Sequence, residues 1–199
     1  ELKMICKNLN LNIHDVQDTA SSKPFGFTRF TPGPGVGGHC IPIDPIFIDW
    51  IAKKNKISAK FISLARKTNL KITSWIIQNI LKNYPKVKDL KKKIKILIIG
   101  IAYKPNVNDS RESPSIEIFK KLEKYNNLVD FFDSRIKSLI ISGKKKISNR
   151  KQNFGYYDFL ILCTNHDDLN KNKLIKEAKL IFDTRGVFKN SNLKKVIHL

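Results

Sequence analysis

The sequence predicts an α/β protein in which a helical segment precedes a doubly wound parallel sheet. Apolar residues recur at helical spacing between residues 1 and 84. From Ile94 onward, short β-rich runs alternate with helical stretches, which is the pattern of parallel βαβ units. The stretch 85–93 is polar and rich in lysine. We therefore expect one unit over residues 1–90 and a second over residues 91–199.

Helical periodicity organises the first unit. The four expected helices cover residues 1–10, 13–20, 46–52 and 58–84. The third is expected to begin with Asp44 as N-cap and Pro45 as its first residue. His14 is interpreted as a surface or capping residue of the second helix. Asn69 falls in the middle of the fourth helix, where a polar side chain needs a partner that the sequence does not identify.

Strands and helices alternate in the second unit. Strands are expected over residues 94–99, 128–132, 157–163 and 180–182, with helices from Ser113 and over 174–178. Ser113 as N-cap and Pro114 at the first helical position define the start of the first helix. Residues 138–153 are interpreted as irregular surface. Ligands of such a sheet bind at the carboxyl ends of its strands.

The chain is strongly basic, with 38 basic and 17 acidic residues and a formal net charge of +21. Such an excess of positive charge is typical of proteins that bind nucleic acid. However, the lysines are spread over the whole chain, and aromatic residues do not interleave with the basic runs. We interpret most lysines as solvated surface and expect no nucleic-acid partner. No run of about 18 apolar residues occurs, so no membrane partner is expected.

The cysteines give no sign of a zinc site or a disulfide framework, because three of them stand at long, unrelated spacings. A reducing cytoplasm is the expected setting. Cys6 lies in a helical pattern and Cys163 in an apolar strand, so both are expected to be core residues. The third, Cys40, follows a run of unusual composition.

That run has four glycines and two prolines between residues 32 and 38, followed by His39, Cys40 and, four residues later, Asp44. Such a composition excludes helix or sheet interior and predicts a loop whose bare N–H groups can approach a ligand closely. A thiol with an imidazole and a carboxylate nearby is the makeup of an activated nucleophile. The alternative is a structural turn whose cysteine fills a small apolar gap.

Basic side chains are expected to gather at the binding edge of the second unit, where three loops meet. These loops cover residues 103–111, 164–168 and 183–186, and they carry Lys104, Arg111 and Arg185. Convergent cations suit an anionic phosphate. The alternative pairs Arg185 with Asp183 or Asp133, and Arg111 with Glu112. Only Gly100 marks the first turn, so the GxGxxG dinucleotide fingerprint is absent.

Two long motifs carry a resemblance to a known family. Residues 32–44, PGPGVGGHCIPID, resemble the active-site loop of the UDP-glucose/GDP-mannose dehydrogenase family, and the GGHCIP form is closest to the branch acting on UDP-N-acetylhexosamines. Residues 100–114, GIAYKPNVNDSRESP, resemble the opening of the same family's C-terminal domain. The resemblance implies a helical central-domain remnant followed by a Rossmann-like domain that binds a UDP-sugar.

The resemblance also implies a chemistry and its residues. Family members oxidise the C6 alcohol of a nucleotide sugar to a carboxylate in two steps with NAD, and the cysteine matching Cys40 holds the intermediate as a thiohemiacetal and then a thioester. Asp44 matches the residue that orients or activates the hydrolytic water. The implied substrate-binding residues are Thr31, Gly33, Gly35, Val36, Gly37, Tyr103, Lys104 and Arg185. Arg111 matches a residue that reaches the NAD side, and His39 has no assigned role.

The resemblance covers only the later part of a family member. The N-terminal NAD-binding domain and a helix carrying a catalytic Lys and Asn have no counterpart in these residues, so we expect that the chain alone does not turn over NAD. A homodimer through the central helices is implied. The alternative is a non-catalytic nucleotide-sugar-binding or dimerisation remnant. A third interpretation, a nucleic-acid-binding protein, is supported by the net charge alone.

Overall fold

The chain folds into four N-terminal helices followed by a parallel sheet with helices on both faces. The computed structural model describes residues 1–89, 91–125, 127–189 and 193–199. The helices are α1 (Leu2–Asn8), α2 (Ile13–Ser21), α3 (Cys40–Lys54), α4 (Lys60–Asn83), α5 (Pro114–Glu123) and α6 (Lys171–Glu177). The strands are β1 (Lys95–Ile99), β2 (Leu128–Phe132), β3 (Ser138–Ile141), β4 (Lys144–Ile147), β5 (Phe159–Leu162), β6 (Ile181–Asp183) and β7 (Val196–His198).

The main sheet has five strands in the order β2-β1-β5-β6-β7, and all its pairings are parallel. Alternate residues of β1 point to opposite faces, as the period of a strand requires. Ile96 and Ile98 pack into one apolar cluster with α4 and α5, whereas Leu97 and Ile99 pack into a second cluster with α6. The predicted doubly wound α/β class is therefore confirmed.

Helix α4 contributes to both halves of the molecule. Ile72, Ile76 and Ile80 on its second half are buried in the core under the sheet. Its first half lies beside α3, and its apolar side chains Phe61 and Leu64 are exposed. One helix therefore joins the core of the sheet to a helical pair that leaves apolar surface uncovered.

The start of α3 differs from the prediction. The helix begins at Cys40, so Asp44 lies inside it and is not its N-cap, and the cap position is His39 without a side-chain hydrogen bond. Gly38, at a φ of +91°, turns the chain into the helix. Pro45 lies inside the helix and removes one intrahelical hydrogen bond. The prediction was wrong because Asp44 followed by Pro45 resembled a helix start.

One further prediction was wrong in the second half, and one strand was missed. Residues 138–153 are not irregular throughout, because β3 and β4 form an antiparallel hairpin. Its turn has positive φ at both Ser142 and Gly143, which is the geometry of a two-residue hairpin loop. The three lysines of β4 hid the strand, since consecutive charged residues are not typical of a strand. The last strand, β7, was not predicted.

The structure also tests the predictions made for several single residues. Cys6 and Cys163 are buried, as predicted. His14 is buried, contrary to the surface interpretation, because its ring packs against Gly186. The capping residue of α2 is Asn12, whose side chain accepts a hydrogen bond from the backbone N–H of His14.

Candidate functional site

The glycine-rich loop lies directly on the second half of the chain. The N–H of Gly38 donates to the carbonyl of Arg111 at 2.9 Å. A Cβ at Gly37 would lie 2.6 Å from the carbonyl oxygen of Glu112, and one at Gly38 would lie 2.7 Å from the Tyr103 ring. No side chain fits at either position. The glycines therefore permit a close approach between the loop and the residues that follow β1.

Asn69 fixes the middle of this loop to α4. The N–H of Val36 donates to Asn69 Oδ1 at 2.8 Å, and Asn69 Nδ2 donates to the carbonyl of Val36 at 3.0 Å. Next to it, a Cβ at Gly35 would lie 3.1 Å from Ile72. The partner that Asn69 needs is thus a backbone segment more than thirty residues away in sequence, which the sequence could not identify.

Arg185 lies beneath the start of the loop, and a Cβ at Gly33 would lie 2.7 Å from its Cζ atom. Arg185 Nε donates to the carbonyl of Cys163 at 2.6 Å, and its backbone N–H donates to Asp183 Oδ1 at 2.9 Å. The terminal guanidinium nitrogens donate no hydrogen bond to any described residue. Two donors are therefore available to an anion.

The described residues do not form the ion pairs that were expected as alternatives for Arg185 and Arg111. The guanidinium of Arg185 makes no ion pair with Asp183 or Asp133 among the described residues. Burial lowers its pKa, although Cys163 and Asp183 oppose that effect. Arg111 pairs with Asp109 instead of Glu112, with Nε and Nη2 at 3.0 Å and 2.7 Å from Asp109 Oδ2. Those hydrogen bonds raise the pKa of Arg111.

Cys40 is exposed at the first position of α3, a helix of 15 residues. The N-terminus of a helix carries partial positive charge. Arg111 adds a cationic neighbour, since the electrostatic influence of Cys40 contributes to the raised pKa of Arg111. Asp44 is four residues along the same helix, so its carboxylate lies on the same face as the thiol. The thiol is open to a reactant.

Tyr103 and Lys104 lie next to the loop. The Lys104 ammonium is 5.5 Å from the centroid of the Tyr103 ring, and this ring is the one that covers Gly38. Lys104 is exposed, as is Thr31 at the start of the loop. The structure therefore brings Gly33 to Arg185 and Gly38 to Tyr103, whereas Thr31 and Lys104 remain on the surface.

The segment after β1 is held by groups that the sequence analysis missed. Asn106 donates its backbone N–H to His166 Nδ1 at 3.0 Å and its side-chain amide to Asp167 at 2.7 Å. His166 Nε2 lies 3.1 Å from Asp133 Oδ2. Because Nδ1 accepts the hydrogen bond from Asn106, the ring proton of His166 is on Nε2. These partners are about sixty residues apart, so no local pattern could have revealed them.

The turn after β1 does not fit a dinucleotide. A phosphate cradle needs open space at Gly100, but a Cβ there would lie 2.7 Å from Thr164 Cα, so Thr164 fills that space. Asp133 stands at the end of β2, where a dinucleotide-binding fold presents a carboxylate to the ribose. Its Oδ2 already accepts the N–H groups of Ile101 and Ala102 at 2.7 Å and 2.9 Å. The described residues therefore offer no NAD cradle here.

A cleft of about 1200 Å³ separates α3 and the first half of α4 from α5. It is lined by the loop residue Val36 and by apolar side chains including Ile43, Phe61 and Ile116. Beside it, α3 exposes Phe47 and other large apolar residues.

Among the described residues, no helix is both long and apolar enough to cross a membrane.

Two segments of the chain match one protein family. Residues 1–71 match the central domain of the UDP-glucose/GDP-mannose dehydrogenase family, and residues 97–190 match its UDP binding domain. A UDP-N-acetyl-D-mannosamine dehydrogenase of Methanococcus maripaludis is 32% identical over 203 residues, covering 98% of this chain and 45% of that protein. An NDP-N-acetyl-D-galactosaminuronic acid dehydrogenase of Ralstonia solanacearum is 30% identical, covering 97% and 44%. The chain spans about half the length of these curated relatives.

Solved structures agree with the fold. A UDP-N-acetyl-mannosamine dehydrogenase from Staphylococcus aureus is similar at 27% identity with a TM-score of 0.67, covering 99% of this chain and 45% of that one. A UDP-glucose dehydrogenase from Pyrobaculum islandicum has a TM-score of 0.81 at 18% identity, covering 98% and 45%. The second likeness concerns the fold alone.

Proposed function

This chain belongs to the UDP-glucose/GDP-mannose dehydrogenase family, and we propose that it forms the substrate-binding and thiol-bearing part of a UDP-N-acetylhexosamine 6-dehydrogenase. UDP-glucose is the alternative substrate. The two curated relatives are named for N-acetylated sugars, which favours the hexosamine. The proposed units are residues 1–90 and 91–199.

The observation that carries the proposal is one loop that joins the half-buried guanidinium of Arg185 to the exposed thiol of Cys40. Gly33 covers Arg185, whose terminal donors make no hydrogen bond to the described residues, and seven residues later the loop ends at Cys40. A nucleotide sugar has its diphosphate next to the sugar, so both ends can be held by one segment. We assign the diphosphate to Arg185 and the loop backbone from Thr31 to Gly37, including Gly35 and Val36.

We propose the remaining contacts from the family resemblance, and the position of Tyr103 against Gly38 supports them. Tyr103 and Lys104 lie beside the loop at Gly38, and we assign them to the substrate. We assign Arg111 to the side of the site where the nicotinamide cofactor enters, because it lies beyond Gly38 and near Cys40. His39 is given no role.

The proposed chemistry of this chain centres on Cys40. Its thiolate sulfur adds to the C6 carbon of an aldehyde; the S–C bond forms, and the carbonyl π electrons move to oxygen as an alkoxide. The tethered intermediate cannot diffuse away. Asp44, one turn along α3, is placed to accept a proton from the water that releases the acid.

NAD is the oxidant of this chemistry and would accept the hydrides. The described residues do not fit it, because Thr164 fills the space at Gly100 and Asp133 is already hydrogen-bonded. We therefore expect no NADH to form when these 199 residues alone are given NAD and a UDP-sugar. NADH absorbance measures this directly, and its appearance would contradict the assignment. The competing function is nucleotide-sugar binding without catalysis. The turn at Gly100, whose space Thr164 fills, favours it as well.

We also propose that the chain forms a homodimer through its central helices. The helices α3 and α4 expose large apolar side chains on neighbouring faces, namely Ile41, Phe47, Ile48, Trp50, Ile51, Phe61, Leu64 and Leu70. An apolar surface of this extent usually marks an interface. An exposed free thiol at Cys40 is compatible with a reducing compartment, and we propose the cytoplasm.

The experiment that tests nucleotide-sugar binding is a thermal-shift titration with UDP, UDP-N-acetylglucosamine and UDP-glucose. Saturation at roughly 100-fold Kd should stabilise the protein by about 2.7 kcal/mol. Arg185→Ala should lose most of that stabilisation, because it removes the guanidinium. The matched control is Arg150→Ala, at an exposed arginine on the loop after β4, which should shift like the wild type. No shift with any of the three ligands would contradict the proposal.

A further inference from the structure

Lys3 is a buried ammonium group beside the proposed diphosphate site. Its side chain lies on α1, the residue is 5% exposed, and Nζ donates to the carbonyl of Thr184 at 2.9 Å. Thr184 directly precedes Arg185. No carboxylate of the described residues forms an ion pair with Lys3. A buried cation without an anionic partner is costly, so its presence here needs a reason.

The charged groups that face Lys3 are mostly positive or neutral. Lys7 lies on α1 itself, and α2 contributes His14. Cys163 follows β5, Asp183 ends β6, and Arg185 lies in the turn after β6. Burial, and then the charge of Arg185, lower the pKa of Lys3 to about 7, while Asp183 acts in the opposite direction. Burial also lowers the pKa of His14, which is therefore neutral at pH 7.

The single anion in this group is already engaged. Asp183 Oδ1 accepts the backbone N–H of Arg185 at 2.9 Å, and Oδ2 accepts that of Phe188 at 2.8 Å. The ammonium of Lys3 and the guanidinium of Arg185 are thus held close together with less negative charge than positive charge around them. A diphosphate would supply the missing negative charge.

We propose, on the premise that the chain binds a nucleotide sugar, that Lys3 positions the Arg185 turn for the diphosphate and takes up a proton when that anion binds. The hydrogen bond from Nζ to Thr184 fixes the backbone from which the guanidinium extends. The bound diphosphate then stabilises the charged form of the amine. Lys3 is a positioning residue that needs no contact with the sugar.

The test is isothermal titration calorimetry of the 199-residue chain with UDP-N-acetylglucosamine between about pH 6 and about pH 8. The diphosphate diester does not titrate in this range, so the protein alone sets the profile. Affinity should fall by up to about tenfold across the range as Lys3 loses its proton before binding. Lys3→Met should bind more weakly and show a flat profile.

Lys7→Met is the matched control. Lys7 is on the same helix, burial likewise lowers its pKa, and its Nζ donates to the carbonyl of His198 at 2.6 Å and not to that of Thr184. Lys7 has only a small effect on the pKa of Lys3, so this variant should keep the wild-type affinity and a pH dependence of similar size. His14→Gln should also keep the pH profile, since the imidazole is already neutral over most of the range.

A wild-type measurement decides the proposal even where Lys3→Met fails to fold. Binding at pH 7 in two buffers with different ionisation enthalpies should show uptake of up to about half a proton. Binding without proton uptake, or with an unchanged affinity and profile in Lys3→Met, would overturn the role of Lys3 alone. Absence of binding by the wild type would overturn the proposed function and the role of Lys3 together.

Discussion

At the scale of single residues, the glycines of the loop allow close contacts because they have no side chains. Gly33, Gly37 and Gly38 each lie where a Cβ would overlap an atom of the second half. The sequence predicted the loop because glycine and proline at that density exclude regular structure. It could not predict which groups the glycines contact, because Tyr103 and Arg185 are distant in sequence.

Gly38→Ala tests whether the close contact with Tyr103 is real. Gly38 has a φ of +91°, and its Cβ would lie 2.7 Å from the ring, so alanine adds both backbone strain and overlap. The matched control is Gly26→Ala, at a φ of +70° with nothing within 4 Å of the added Cβ. Urea unfolding should show a loss of about 1 kcal/mol for the control. Gly38→Ala should lose about 1–3 kcal/mol more. Equal losses would refute the contact.

At the scale of elements, the carboxyl ends of the strands concentrate the polar groups of the second half. Asp133 follows β2 and Asp183 ends β6, and both carboxylates are fully buried. Strand positions were predictable from apolar runs, and the parallel arrangement followed from their alternation with helices. The β3–β4 hairpin was not, because its turn depends on positive φ at Ser142, a residue that rarely signals such a turn.

The Asp133 carboxylate predicts a pH dependence of stability. Burial acts to raise its pKa, but hydrogen bonds from His166 and from the amides of Ala102 and Ile136 outweigh it and hold the pKa below its ordinary value. A lowered folded-state pKa contributes stability that is present above about pH 4 and is lost as the pH falls further. The free energy of unfolding should therefore fall steeply in acid.

Urea unfolding between about pH 6 and about pH 3 checks this dependence. Asp133→Asn should be less stable near neutral pH, and its stability should change less as the pH is lowered, because the titrating group is gone. The control is Asp15→Asn, at an exposed position on α2, which should keep the wild-type slope. An acid slope in Asp133→Asn as steep as in the wild type would rule out this role for Asp133.

At the scale of the whole molecule, α4 is the element that unites the chain. Its second half is part of the sheet's core, and its first half forms an exposed apolar face with α3. The sequence showed apolar residues along the entire helix but could not show which of them remain uncovered. Exposure is a property of the assembled fold, and the same periodicity describes a buried face and an interface.

Phe61→Lys tests whether this exposed face is a dimer interface. Phe61 is 89% exposed, so lysine there should not destabilise the fold but should repel a second copy. Sedimentation velocity should show a dimer for the wild type and a monomer for Phe61→Lys. Ile147→Lys, at a residue 71% exposed on β4, should remain dimeric. A monomeric wild type, or a dimeric Phe61→Lys, would eliminate this interface.

The most direct test of the site as a whole is the rate at which iodoacetamide alkylates Cys40, followed by intact mass. One of the three thiols should react, since Cys6 and Cys163 are buried. Saturating UDP-N-acetylglucosamine should slow the reaction severalfold, because the sugar would cover the sulfur while Arg185 holds the diphosphate. Arg185→Ala should lose that protection at the same ligand concentration. An alkylation rate unchanged by a nucleotide sugar that calorimetry shows to be bound would contradict the placement of the thiol at the sugar.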